Sequence, residues 1–326
     1  MPQQSILLSL DGSIYSRYAA NLCWQIAKAT GAKVTAQHVI DDASTRDFIV
    51  HEPAGFISQA QYFTAYELVR KEQHELASKL KHAYSTEAAK HGIESEFVLD
   101  HGDPAVAICE RALCHDLVVV GHRPFKSTDG SAHGRQFARQ FARQFARMSV
   151  AESLSHECST PLLIVQDDAP LMPEMTILLS LEHLNERYIN TCLDLAKMLG
   201  QKPKILCVST GGHEEPAVNL VKDLRAVNAN IKDTPIEVIS LADVSTLNGE
   251  SIPGHCALRA DASNMSSTLP VMPTRQLGHN RVTILGGSPS LFVRYLALSS
   301  ILLLPEEHMI NPDTAKAAKE EDMQPI

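Results

Sequence analysis

Asp11 stands directly after the apolar run Ile6–Leu10 and directly before Gly12-Ser13, which makes it the acidic residue best placed to act on a ligand. A carboxylate at the end of a buried strand can accept hydrogen bonds from a bound molecule. It can equally cap the helix that follows, and the residues alone leave both readings open. Gly121, after Leu117–Val120, has the same ambiguity between a ligand contact and a tight turn. Asp103 before Pro104 reads instead as a helix N-cap with proline at the first helical position. No familiar catalytic spacing is present: there is no glycine-rich loop ending in Lys-Ser/Thr, no G-x-S-x-G and no H-E-x-x-H. Cys109, Cys114 and His115 match no zinc spacing, so no metal is expected. Seven cysteines without a C-x-x-C pair argue against a disulfide framework. A non-enzymatic protein is the expectation, with no catalytic residue assigned.

The elements that would position these residues are legible in the hydrophobic pattern. Ser5–Leu10 is a short, almost wholly apolar run, as a strand covered on both faces requires, and Val34–Ile40, Glu94–Leu99, Leu117–Val120 and Pro161–Val165 read as further strands. Between them, Ser16–Thr30 carries apolar residues at helical spacing and is closed by Gly31, Tyr62–His91 reads as a long helix with charges at short intervals, and Pro104–Cys114 as a further helix. Strands alternating with helices predict a doubly wound α/β fold, a parallel five-stranded sheet with helices on both faces. At 326 residues the chain is long enough for about two such units. A charge of −9 argues against nucleic-acid binding through a basic surface. Leu291–Leu304, broken by Arg294, is too short for a membrane span, and Met1–Gln4 lead into Ile6 without a signal-peptide pattern, so a cytoplasmic protein is expected.

The chain also repeats itself. Ile6–Asp11 recurs as Ile177–Glu182, Ile26-Ala27-Lys28 with Gly31 as Leu195-Ala196-Lys197 with Gly200, and Val39 as Val208. Leu117–Gly121 with Pro124 pairs with Val282–Gly286 and Pro289. Matches in one order predict two copies of a module, 1–168 and 174–308, each with its own sheet, the two set back to back as a pseudo-dimer, followed by a mobile tail over 309–326. Gln166–Pro173 is the expected boundary, and residues 242–275 show no readable period.

Four segments carry a resemblance: Ile6–Ser13 (ILLSLDGS), Gln37–Asp41 (QHVID), His101–Ala112 with Leu117–Arg123 (HGDPAVAICERA, LVVVGHR), and Ser149–Leu154 with Pro161–Val165 (SVAESL, PLLIV). Together they resemble the universal stress protein family, here as a tandem member with a diverged second copy. The resemblance implies a stress-response protein that in many members binds ATP or AMP at the carboxyl ends of the strands, and a homodimer or intrachain pseudo-dimer. Carried onto this sequence, it implies binding residues Ser9, Asp11, Val39, Gly121, Ser149 and Val150. The family's phosphate loop reads G-x-x-G, about nine residues, then G-S/T-V. Pro124 and Met148 stand where its second and third glycines belong, and the intervening stretch is far longer. Proline removes an amide donor and Met148 adds a side chain where phosphates need close backbone, so the site is expected to be degenerate. In the second copy Glu182, Gly286 and Gly287 survive but the loop is missing, so no nucleotide site is expected there. A ligand-free interaction module is the alternative.

Arg135–Arg147 repeats RQFA three times, which on a helix would set Phe137, Phe141 and Phe145 opposite the four arginines. A membrane surface, an acidic partner or phosphates would suit it. A duplication tolerated in an exposed loop is the simpler reading.

Overall fold

The alternation read from the sequence becomes, in the computed structural model, a single layered sheet. Described are residues 4–42, 59–123, 149–180, 185–209, 231–240, 268–277, 280–283, 289, 293 and 300–306. The first set of elements is β1 (Ser5–Ser9), α1 (Ile14–Thr30), β2 (Lys33–Ile40), α2 (Gln59–His91), β3 (Ser95–His101), α3 (Pro104–Ala112), β4 (Leu117–Gly121), α4 (Val150–Glu157) and β5 (Leu162–Val165). The second is β6 (Glu174–Ser180), α5 (Glu186–Met198), β7 (Lys202–Ser209), β8 (Ile236–Ser240), β9 (Thr268–Leu277), β10 (Asn280–Thr283) and β11 (Ser300–Pro305).

Strand parity sorts the core. Ile6 and Leu8 of β1 pack with Ala19, Leu22, Cys23 and Ile26 of α1 on one face. Leu7 packs with Ile108 and Ala112 of α3 and Leu154 of α4 on the other. Helices on both faces explain why β1, β4 and β5 are apolar without alternation. Gly31 ends α1 with φ 71°, a left-handed conformation that glycine adopts without a Cβ penalty, and its N–H donates to the Ala27 carbonyl at 2.8 Å. α2 is 33 residues long, and among its described side chains only a narrow stripe, Ala77, Tyr84 and Ala88, is buried. That stripe meets Trp24, whose ring stacks on His91 at 4.5 Å.

The strand order is β3-β2-β1-β4-β5-β11-β9-β6-β7-β8, with β10 paired to β9. Read outward from the middle, the second set repeats the first: β11, β9, β6, β7 and β8 occupy the places of β5, β4, β1, β2 and β3. The layered fold is as expected, but the picture of two separate sheets needs correcting. The two sets join edge to edge through antiparallel β5 and β11, with Ile164 opposite Ile301 and Leu163 opposite Leu302. Both strands are fully buried, and pairing the two apolar edges satisfies their backbone while hiding their side chains.

One repeat match is also corrected. Val282 and Thr283 lie in β10, antiparallel to β9, while β9 itself takes β4's place between β6 and β11. Pro270 and Pro273 interrupt β9 and hide a strand where 242–275 showed no pattern, since proline cannot donate to a ladder. The connection 166–173 runs beside α1, with Asn21 donating to Asp168 at 2.7 Å and the Leu171 amide donating to Gln25 at 2.9 Å. Pro124 to Met148, with Gly130, Gly134 and the RQFA repeat, lies outside the described residues, as do Glu182, Gly286, Gly287 and the tail. Among the described residues no helix is long and apolar enough to cross a membrane.

Candidate functional site

β1 sends its chain toward β2 on one side and has β4 as neighbour on the other, so the strand order reverses at the carboxyl ends of β1 and β4. That switch point is where an open α/β sheet leaves a crevice. Ser9 ends β1 there, in register with Gln37 of β2 and Val120 of β4. Its parity is that of Leu7, so it lies on the face covered by α3 and α4.

Asp11 sits in the exposed turn into α1. Its Oδ1 accepts from the Ser13 amide at 2.8 Å, and Gly12 takes φ 81° to allow the turn. Ser13, not Asp11, is the N-cap: its Oγ accepts from the Ser16 amide at 3.2 Å. The aspartate thus shapes the entry to α1 and leaves its carboxylate at the rim. Gly121 is explained by contact rather than by a turn. A Cβ there would strike the carbonyl group of Tyr15 and lie 2.6 Å from the Ser16 amide nitrogen, so the first turn of α1 touches the end of β4 directly.

His122 follows Gly121 and is buried. Its amide donates to the Val165 carbonyl at 2.8 Å, and its Nδ1 lies 3.3 Å from Ser149 Oγ. This contact brings the end of β4 to the start of α4. Ser149 is the N-cap of α4 in a complete capping box: Ser149 Oγ accepts from the Glu152 amide at 3.2 Å, and the Ser149 amide donates to Glu152 Oε2 at 3.0 Å. The Ser149 amide is therefore already engaged by a carboxylate of the same helix. Glu152 is buried and places its charge where the helix dipole would otherwise attract a ligand anion. Val150 and Val39 border the same apolar cluster beneath this end of the sheet.

Behind Val39 lies a polar network that the sequence reading missed. Buried Gln37 donates to Asp100 Oδ2 at 2.8 Å and to the Ala107 carbonyl at 3.1 Å. Arg111 grips Asp100 with two bonds of 2.8 Å. Those guanidinium bonds hold the Asp100 carboxyl below the usual range, with partial burial opposing and Gln37 assisting. Arg111 is raised in turn, first by its hydrogen bond to Asp100. Gln37 inside an otherwise apolar strand was the available signal. For Glu152 it was the Ser-x-x-Glu spacing from Ser149.

The six expected residues thus fall into a connected rim: Ser9, Asp11 and Gly121 at the switch point, Ser149 joined to it through His122, and Val39 and Val150 flooring it. Residues 3–166 match the universal stress protein family. The chain belongs to that family. Two solved structures cover this universal stress protein almost end to end. One is a universal stress protein from Archaeoglobus fulgidus DSM 4304, with 16% identity, TM-score 0.56, 94% of this chain and 99% of that one. The other is a functionally unknown protein from Pseudomonas aeruginosa PAO1, with 12% identity, TM-score 0.55 and 98% of each chain. Both show the fold. A family protein from Arabidopsis thaliana, solved with AMP bound, is 14% identical over 51% of this chain and 93% of its own, with TM-score 0.28. Among curated proteins no relative matches.

Proposed function

We propose that this chain is a non-enzymatic stress-response protein whose first half keeps the adenosine end of the family's nucleotide site and has lost its hold on the phosphates. The observation that carries this is the capping box at α4, in which Glu152 occupies the Ser149 amide. Ser9, Asp11 and Val39 remain at the ends of β1 and β2 to meet a base and ribose. ATP therefore binds no more tightly than AMP or adenosine, because the added phosphates meet a carboxylate instead of free amides. The repeated strand order supports two modules, 1–168 and 174–308, fused as an intrachain pseudo-dimer through β5 and β11. The second module serves assembly rather than ligand binding.

The test is the adenine content of purified protein after denaturation, read by chromatography and mass spectrometry. AMP or adenosine below one equivalent supports the proposal, and stoichiometric ATP overturns it. A second reading, an interaction module without ligand, is favoured by Asp11 and Gly121 both being used by α1 itself. No bound adenine and no heat on adding adenosine would select it. Turnover of ATP abolished by Asp11→Ala would reverse the non-enzymatic assignment.

A further inference from the structure

On the face that carries α1, a cavity of about 350 Å³ straddles the seam between the two strand sets. Leu163 and Leu302, opposite one another across β5 and β11, both line it. Around the seam this face is covered by α1 from the first set and α5 from the second, and Ile26 of α1 and Leu195 with Met198 of α5 contribute walls. Ile26 and Leu195 are counterparts in the sequence repeat, so the two copies bring the same helical position to one shared cleft. Interior and rim differ in chemistry. Ile26, Leu163 and Leu302 are buried, whereas the charged groups of the lining, Asp116 and Asp194, are exposed. Among the described lining residues there is no Lys, Arg or His. The Ser5 amide and hydroxyl donate to Asp116 Oδ2 at 2.8 and 3.0 Å, which leaves Oδ1 without a partner among the described residues. Asp194 likewise has no ion-pair partner among them. Asp116 precedes β4, so this rim lies at the end of the sheet away from the switch point.

We propose that this cleft is a second binding site, for a small cationic amphiphile whose apolar body lies over Leu163 and Leu302 and whose ammonium group meets the rim carboxylates Asp116 and Asp194. Ligand sites fall preferentially where two structural units meet, and an apolar pocket with a few polar groups at one end fixes both what binds and which way round it lies. The cavity is at the small end of the range for such sites, ~300–1,000 Å³, which suits one short chain or ring rather than a two-chain lipid. Charge decides the head group. A carboxylate ligand of the same chain would set its charge against two aspartates with no described cation in the lining, while an alkyl amine is protonated at neutral pH as a lysine side chain is. Because α1 and α5 both contribute walls, an occupant touches both copies at once. The site is separate from the adenosine rim, so the two ligands do not compete.

The experiment titrates octylammonium, octanol and octanoate into the full chain by calorimetry at neutral pH. Octylammonium should bind tightest, and octanoate at least about tenfold more weakly. Asp116→Asn combined with Asp194→Asn should lower the octylammonium affinity about tenfold and leave octanol unchanged, since an amide oxygen still accepts the Ser5 bonds. Met198→Trp, which fills the cleft, should abolish binding of octylammonium and octanol alike. Octanoate binding as tightly as octylammonium, or no binding of any of the three, overturns the proposal. So does octylammonium binding that both variants leave unchanged, or that adenosine displaces. The order of the three ligands is read on the wild type, so a variant that fails to fold leaves the test standing.

Discussion

Replacing Glu152 with glutamine removes a charge from the start of α4 while changing little else. Glutamine still offers an oxygen to the Ser149 amide, and it is an accepted third residue of a capping box, so stability should change by less than about 1 kcal/mol. The electrostatic change is larger. A phosphate placed at the α4 N-terminus would lie roughly 6 Å from the carboxylate, where two unit charges repel by about 3 kcal/mol at an effective dielectric of about 20. Screening on the open side of the crevice reduces this to ~1.5 kcal/mol. That is about a tenfold change in affinity, present for phosphates and absent for the nucleoside. Isothermal titration of adenosine, AMP and ATP into both proteins measures it. The wild type should bind ATP no more tightly than AMP or adenosine. Glu152→Gln should bind ATP about tenfold tighter than the wild type does and adenosine unchanged. An unchanged ATP-to-adenosine ratio in Glu152→Gln would refute the reasoning.

Other perturbations test the frame. Gly121→Ala drives a Cβ into Tyr15 and Ser16 backbone, and should destabilise by about 1–3 kcal/mol in urea unfolding; a neutral result would mean that α1 does not rest on β4 as described. Ile301→Ala at the β5–β11 seam should cost about 2–5 kcal/mol and lower one shared melting transition; an unaltered first half melting separately would deny that the seam joins the two sets. Asp103→Ala removes the cap whose Oδ1 accepts from Ala105 and Val106, and should cost about 1 kcal/mol by the same assay. Asp100, depressed by Arg111, contributes stability that is present above its unfolded pKa of about 3.9 and is lost as pH falls through its lower folded value. The stability gap between wild type and Arg111→Gln should therefore be full at neutral pH and shrink in acid; a gap that is the same at pH 3 as at pH 7 would contradict the assignment.

What could be read without coordinates follows from how local the signals are. The strands and helices of residues 5–165 were legible because apolar runs, Gly31, and Asp103-Pro104 are local cues. The joining of two strand sets into one sheet was not legible, since it depends on which edges meet across more than a hundred residues, and β5 and β11 look like any other buried strands. β9 was hidden by two prolines that a central strand rarely carries. At the site, the family resemblance named Ser9, Asp11, Val39, Gly121, Ser149 and Val150 as candidates, and the contact of α1 with Gly121 could not be read from the sequence because it joins elements about a hundred residues apart. The Ser-x-x-Glu spacing is visible in the sequence, but that Glu152 is seated on the Ser149 amide depends on α4 starting at Val150.

A crystal structure of the protein grown with ATP tests the central claim most directly. The account predicts the base and ribose at the ends of β1 and β2, beside Asp11 and Val39, with the phosphates in solvent and Glu152 still bonded to the Ser149 amide. Phosphate oxygens on the amides at the start of α4, with Glu152 swung away, would contradict it.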